Sequence, residues 1–382
     1  LSAEQKLHLV KHGFVIIRGA VPPDVVERCR DRMYRDDPRT RPADGPRYVV
    51  TARDGKGSPG GSLATCPEVL DCFNRSTVKQ MLRHDMGPFS PVVAAQVAIT
   101  PAGDRSAGSH PACHVDGTWG GAARPFPRGM ELAPMEGMRP ECLRPADPEL
   151  RTRYFGEDET ETVSPLQAGV LWMDREKTLS LGSYTCLVGI ALNDQRQAGK
   201  GQFGVYAGMH EHVQQFFRRQ RDLGGPIGPD GPGWPRLVQD AKGNTFLGNG
   251  VPPELRELAR SRTGIGSDAP GWPWPEITPC LLAPGDAVVA LHSCPHAPTP
   301  NFGDEPRMNL YFRIRRFREG NPNEGSRRVG HGVNDHPDRG AYGQWLDYPE
   351  GYDPFRISIE TMCDHWSEWD GIDPEAVLAE ER

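Results

Sequence analysis

A histidine and an aspartate stand two residues apart at His114-Val115-Asp116, inside the stretch HPACHVDGTW (110–119). On a strand, alternate side chains share a face, so His114 and Asp116 point one way and Val115 the other. An imidazole beside a carboxylate supplies two ligands of the facial arrangement used by non-haem Fe(II) sites, in which a second histidine is the third ligand and the remaining positions stay open. Taken alone, the tripeptide reads equally well as the polar face of an ordinary strand. Far along the chain, APGDAVVALHSCPHAPTPN (283–301) offers a tight turn, an apolar strand and then His296. Arg307 follows eleven residues later, after a reversal through APTPNFGDEP (297–306) that returns the chain toward the same place. A guanidinium grips a carboxylate with two parallel hydrogen bonds, and this suits the distal carboxylate of 2-oxoglutarate. His292 competes with His296 as third ligand; His296 is preferred because it gives the eleven-residue interval to Arg307. Trp119, three residues past Asp116, is an aromatic side chain placed to wall the pocket. A second histidine group, HGVNDH (331–336), lies in a polar tail with no strand to fix it and is read as surface.

These side chains need elements to position them. Ser2 is an N-cap ahead of a helix that ends at Gly13, and FVIIRG (14–19) is a β-branched strand. PPDVVERCRDRMYR (22–35) opens on prolines and spaces Val25, Val26, Cys29 and Met33 along one helical face. Residues 36–62 are turn-rich, a helix is expected over 67–84, and PVVAAQVAIT (91–100) is a strand leading to the histidine–aspartate pair. Strands are also expected within 183–194, 201–208 and 281–293, and a helix over 210–223. RMNLYFRIRRF (307–317) alternates polar and apolar residues, as a half-buried strand does. Many short strands, with helices gathered near the N-terminus, imply a mainly β fold with helical cover (α+β): a double-stranded β-helix, or jelly roll, of the cupin kind. A single domain is expected over 1–382, with core strands about 91–119, 183–208 and 280–317. Long insertions fall at about 120–180 and 213–279, with a short helix near 252–262 and a C-terminal extension about 318–382 wrapping the core.

Composition agrees with that architecture. Of 382 residues, Gly 44 and Pro 38 make over a fifth of the chain, which favours a turn-rich β protein over a helical bundle. The formal net charge of −7 argues against nucleic acid as a partner. Nine cysteines without a CxxC pair read as reduced and mostly buried. No apolar run approaches the length of a membrane helix and no signal-peptide pattern opens the chain, so a cytoplasmic protein is expected. Leu1 is not a methionine, and a few residues ahead of it are expected in the native chain.

The order of these pieces resembles the phytanoyl-CoA dioxygenase-like family of Fe(II)/2-oxoglutarate oxygenases. The resemblance is carried by a helix and GFVIIRGAVPP (13–23), QVAITPAG (96–103) ahead of the histidine–aspartate pair, VGIALNDQRQAGKGQFGVYAGMHE (188–211), and then PGD, His296, Asn301 and Arg307 in turn. It covers about a third of the chain. The resemblance implies His114, Asp116 and His296 as iron ligands and Arg307 as the 2-oxoglutarate anchor, with Gln96 and Thr100 lining the cosubstrate and substrate site. Two departures stand out. The family often has a small or hydroxyl residue two places after its distal histidine; Pro298 stands there, which moves any hydroxyl contact to Thr299. The 180 residues from Asp116 to His296 also exceed the family's usual interval, and the excess forms lids or walls where substrate choice resides.

The expected activity is oxidation of a small organic molecule using Fe(II), 2-oxoglutarate and O2, with release of succinate and CO2. Because Asp116 supplies a carboxylate, no coordination position is vacated for chloride, and hydroxylation, desaturation or ring closure is expected ahead of halogenation. Two alternatives remain open at this stage: a cupin-like metalloenzyme that does not use 2-oxoglutarate, for which Arg307 would be dispensable, and a catalytically inactive binding module on the same fold. Substrate identity and oligomeric state are not legible.

Overall fold

Ser2 opens the structure by a reciprocal cap. Its hydroxyl accepts from the Gln5 amide at 3.1 Å while the Gln5 side chain accepts from the Ser2 amide at 2.9 Å. This starts α1 (Ala3–His12), which ends at Gly13 and runs directly into β1 (Phe14–Ile17). In α2 (Pro23–Asp36) the buried residues are Val25, Val26, Cys29 and Met33, the face that their spacing predicts. The single helix expected over 67–84 is instead two, α3 (Pro67–Asn74) and α4 (Thr77–Asp85). Ser76 divides them: its hydroxyl donates to the Phe73 carbonyl at 2.7 Å and accepts from the Lys79 amide at 3.4 Å, so one residue closes a helix and caps the next.

This is a computed structural model, and it describes residues 1–40, 63–89, 92, 95–104, 114–115, 120–122, 178–181, 184–223, 245–246, 277–314, 316, 345–347, 359, 362–363 and 372–379. In chain order the remaining elements are β2 (Gln96–Thr100), β3 (His114–Val115), β4 (Gly120–Ala122), β5 (Thr178–Leu181), β6 (Cys186–Ala191), β7 (Phe203–Val205) and α5 (Met209–Asp222). Then follow β8 (Thr245–Phe246), β9 (Thr278–Pro279), β10 (Ala287–Leu291), β11 (His296–Pro298), β12 (Arg307–Ile314), β13 (Trp345–Asp347) and α6 (Pro374–Ala379). The short helix expected near 252–262 lies outside the described residues.

Two five-stranded sheets result, with orders β1-β10-β6-β12-β2 and β8-β3-β11-β7-β9. Their strand pairs are antiparallel. The chain moves back and forth between them: β2, β6, β10 and β12 enter the first sheet, and β3, β7, β9 and β11 the second. A third, three-stranded sheet, β13-β5-β4, joins two ends of the region expected as an insertion to part of the C-terminal extension. The outer face of the first sheet carries Met308, Leu310, Phe312 and Ile314 of β12, all buried. Phe312 packs there against Phe73 of α3, ring centroids 5.4 Å apart. The inner face meets the second sheet, where the Phe203 ring of β7 lies 5.6 Å from Tyr311 of β12. At the entry to β10, the buried Asp286 accepts from Arg18, from the Gly19 amide and from the Ala283 amide, tying the tight turn to the end of β1. Of the C-terminal extension, Ile359, Met362 and Cys363 are buried, and Ile372 and Val377 pack on the core. Among the described residues no helix is long and apolar enough to cross a membrane.

The seven described cysteines are all buried and free of disulfides. Burial pushes the Cys280 thiol up to about 12 and raises Cys186 and Cys294 as well. The thiolate is the reactive form, so these groups are inert near neutral pH. Alkylation of the folded protein at pH ~8, read by mass spectrometry, is expected to leave Cys186, Cys280 and Cys294 unmodified, with full labelling after denaturation; labelling of Cys186 in the folded state would contradict this packing.

Candidate functional site

His296 opens β11, a strand that the sequence reading treated as part of a chain reversal. Its Cα pairs with His114 of β3 on one side and with Val205 of β7 on the other. The side chain is buried, and Nδ1 lies 3.0 Å from the Cys294 carbonyl. A carbonyl can only accept, so Nδ1 donates and the lone pair of the neutral ring is left on Nε2. The Phe203 ring stands 5.0 Å from the imidazole. His292 goes elsewhere: it follows β10 and packs edge-on against Tyr184 at 4.6 Å. His296 rather than His292 therefore stands opposite His114. Asp116 and Trp119 lie outside the described residues. Among those described, no three ligating side chains gather as a metal-binding group.

Arg307 begins β12 and is buried, only 4% exposed. Its Nε donates to the Gly201 carbonyl at 2.8 Å and its Nη1 to the Ala98 carbonyl at 3.2 Å. A guanidinium has five N–H groups, so three donors remain. Among the described residues no carboxylate pairs with it. A buried cation left without an anion is costly, and the space around Arg307 is thereby suited to a bound carboxylate. Gly201 fits tightly beside it: at φ +73°, a Cβ there would meet the Cβ of Asn301 at 3.1 Å and that of Arg307 at 3.2 Å.

The approach of β11 to β12 is closed by Asn301, which is fully buried. Its side-chain amide donates to the carbonyls of Thr100, Pro101 and Glu305, at 3.3, 3.0 and 2.8 Å, and its oxygen accepts from the Gly303 amide at 3.1 Å. Thr100 is paired with Arg307, and Gln96 with Tyr311, so both expected lining residues share the face that carries Arg307. Thr100 is buried; Gln96 is exposed. The Thr299 hydroxyl is engaged within the protein, 3.1 Å from both the Gln202 carbonyl and the Gln202 side-chain oxygen. Its one hydrogen is directed there.

Sequence reasoning did not single out Asn309 and Tyr311, which follow Arg307 along the inner face of β12. Asn309 lies between Ala98 and Ala191, and Tyr311 between Gln96 and Gly189. A Cβ on Gly189 would sit 2.9 Å from the Tyr311 ring, so the glycine makes room for it. The available signal was the alternation Arg-Met-Asn-Leu-Tyr, a polar residue at every second place. It was read as a solvent face, yet both faces of β12 are buried because a second sheet covers the polar one.

No protein-family model and no curated protein matches the chain. It is similar to several solved structures. HygX from Streptomyces hygroscopicus, crystallised with nickel and 2-oxoglutarate, is 13% identical, with 81% of this chain and 85% of that chain covered and a TM-score of 0.37. SnoK, a non-heme alpha ketoglutarate dependent carbocyclase from nogalamycin biosynthesis, is 12% identical over 82% and 83% of the two chains, with a TM-score of 0.37. The apo form of ThoJ, a non-heme monooxygenase, is 14% identical over 98% and 97%, with a TM-score of 0.40. Similarity at this level leaves the site to be argued from its own geometry.

Replacing Asn301 by alanine removes the buried side-chain amide shared by three carbonyls beneath a largely exposed turn. A stability loss of about 2 kcal/mol is expected, measured as a shift of the urea midpoint; an unchanged midpoint would mean that the turn is held by other contacts.

Proposed function

We propose that the protein is a non-haem Fe(II)- and 2-oxoglutarate-dependent oxygenase acting on a small organic molecule, with His114, Asp116 and His296 holding the metal and Arg307 the distal carboxylate of 2-oxoglutarate. We read the two interleaved sheets as a double-stranded β-helix forming one domain, and the motif order as that of the phytanoyl-CoA dioxygenase-like family. The observation that carries the reading is the register of β11 on β3, in which His296 is the direct partner of His114. Residues directly opposed in an antiparallel pair have Cβ atoms about 5 Å apart on one face, a separation that suits two imidazoles on one ion. By strand alternation the carboxylate of Asp116, two residues on, belongs to that same face.

The chemistry of the group supports the fit. The His296 tautomer leaves a ligating nitrogen, because its other ring nitrogen is committed to the Cys294 carbonyl. The buried guanidinium of Arg307 has donors to spare and no described carboxylate to meet them. With 2-oxoglutarate and O2, Fe(II) at this position supplies oxidation of a substrate C–H bond, coupled to formation of succinate and CO2. The protein's own part is positional. Arg307 fixes one end of the cosubstrate, the Cys294 carbonyl holds the His296 ring in one tautomer, and Phe203 keeps an apolar flank against that ring. Gln96 and Thr100 line the same face, with Trp119 as a wall. A carboxylate ligand at Asp116 leaves no position for chloride, which favours hydroxylation, desaturation or ring closure.

Anaerobic addition of Fe(II) and 2-oxoglutarate is expected to produce the weak visible charge-transfer band of a chelated 2-oxo acid. His114→Ala and His296→Ala should each abolish it. Arg307→Leu should keep metal binding while weakening 2-oxoglutarate by about a hundredfold or more. A band of full strength in either histidine variant would sink the ligand assignment, and an undiminished affinity in Arg307→Leu would remove Arg307 as the anchor. Metal binding with no uptake of 2-oxoglutarate by the parent protein would favour a metalloenzyme that does not use 2-oxoglutarate.

A further inference from the structure

A chain of side-chain amides runs through the interior, and its direction is fixed at one end by the backbone. The Asn193 side chain donates to the Pro306 carbonyl at 2.9 Å, and its oxygen accepts from the Met308 amide at 3.0 Å. That leaves Asn193 one orientation, with Oδ1 toward Gln195. Gln195 must then present its nitrogen, and its Nε2 stands 3.3 Å from Asn193 Oδ1 and 2.6 Å from Asn309 Oδ1. Asn309 is oriented in turn: its oxygen is taken by Gln195, so its nitrogen faces the Tyr311 hydroxyl at 3.1 Å. Tyr311 therefore accepts. Its own hydrogen is left over, and among the described residues it has no acceptor.

The arrangement is costly to keep. Gln195 and Asn309 are at most 1% exposed and Tyr311 is 8% exposed, and the Gln195 Oε1 atom at the tail of the relay has no hydrogen-bond partner among the described residues. Reversing the Gln195 amide would set its oxygen 3.3 Å from the fixed Asn193 oxygen, with no hydrogen between them. From Gln195 the buried relay donates onward through Asn309 to the Tyr311 hydroxyl, whose oxygen accepts and whose hydrogen points away from the relay.

That hydroxyl and the Arg307 guanidinium reach the same level of the sheet. Arg307 leans along β12 so that Nη1 meets the carbonyl of Ala98, and Ala98 is the register partner of Asn309. Tyr311 leans back from the other direction to within hydrogen-bond distance of Asn309. The residues flanking this level, Ala98, Ala191 and Gly189, are small, and the Tyr311 ring packs against Gly189. Meanwhile the hydroxyl expected to serve the anion, that of Thr299, is spent on Gln202.

We propose that Tyr311 is the second arm of the anion clamp, donating its hydroxyl hydrogen to the same distal carboxylate that Arg307 grips, and that Asn193, Gln195 and Asn309 are positioning residues that hold it as a donor. This rests on the reading of the site as a 2-oxoglutarate site. The hydroxyl comes from the same strand and face as Arg307, and takes the place of one at the end of β11, where Pro298 and the engaged Thr299 supply none.

The test is calorimetric titration of the full chain loaded with Ni(II), with 2-oxoglutarate and with oxalate, which keeps a chelating head but has no far carboxylate. Tyr311→Phe is expected to weaken 2-oxoglutarate by about tenfold or more, the effect of losing one hydrogen bond to an ionised group. Oxalate affinity and Ni(II) affinity should be unchanged, while the melting temperature falls modestly because the buried Asn309 amide loses its acceptor. Asn309→Leu, which frees the hydroxyl to turn, should weaken 2-oxoglutarate and spare oxalate in the same way. If Tyr311→Phe binds 2-oxoglutarate as tightly as the parent, the second arm is wrong while the site reading stands. Equal losses for 2-oxoglutarate and oxalate would place Tyr311 at the metal end or in folding and also overturn the proposal. If the parent protein itself takes up no 2-oxoglutarate, the functional reading falls and the clamp with it.

Discussion

Between Pro298 and Arg307 the chain leaves one sheet and enters the other, and the reversal is held by the side chain of Asn301. Three carbonyls and one amide converge on it, from β2, from the following residue and from the turn itself. A flexible connection of the same length would bring His296 and Arg307 near each other only on average. The staple converts the interval into a fixed geometry, since His296 is already paired with β3 and β7, and Arg307 with β2. Gly201 adds to the constraint from the far side, where no side chain larger than hydrogen fits without moving Asn301 or Arg307. Positioning of this kind is what allows a buried cation to be held ready for a ligand.

β12 shows how the same sheet serves two interiors. Its apolar row, Met308, Leu310, Phe312 and Ile314, is an ordinary core face under the helices. Its polar row, Arg307, Asn309 and Tyr311, is also buried, against the second sheet. Interior polar groups need partners: Arg307 finds them in the carbonyls of Gly201 and Ala98, Asn309 in Gln195 and Tyr311. The result is directional. Because Asn193 is anchored to the backbone on both of its amide atoms, the orientation of each later group follows from the one before it. No single hydrogen bond in the series is strong, yet together they leave few alternative arrangements.

Much of this organisation was legible from the residue order. The capped first helix, the buried stripe of α2, the strands ending at Thr100 and beginning at Arg307, and the interval from His296 to Arg307 all follow from local chemistry that survives in the folded state. What was not legible depended on tertiary context. The strand β11 is only His296–Pro298 and holds a proline, a residue that can give no hydrogen bond to the ladder, so nothing in its composition suggests a strand. The break at Ser76 is a local event inside an otherwise continuous helical pattern. The polar row of β12 was read as a wet face because alternation reports that two faces differ, without saying what covers each. The short strands at Gly120–Ala122 and Thr178–Leu181 pair with each other across the region read as an aperiodic insertion, and such long-range pairing leaves no periodic trace.

The inner face of the first sheet departs from good strand-building where the polar row is densest. Gly189, Ala98 and Ala191 surround Asn309 and Tyr311, although glycine and alanine are poor strand residues and contribute little packing. The outer face of the same strands shows no such economy, with Val188, Ile190, Leu310 and Phe312 fully buried. Two local rules are therefore broken together and on one side only: the face is built on glycine and alanine around a bulky phenol, and it buries charge and amides. A sheet selected for stability alone would gain by replacing the polar row with apolar side chains and dispensing with the relay. Departures that coincide in this way are the expected mark of a site whose hydrogen-bond acceptors, missing among the described residues, are supplied by a ligand. Here the missing acceptors face a guanidinium and a phenol, so the ligand called for at that end is an anion.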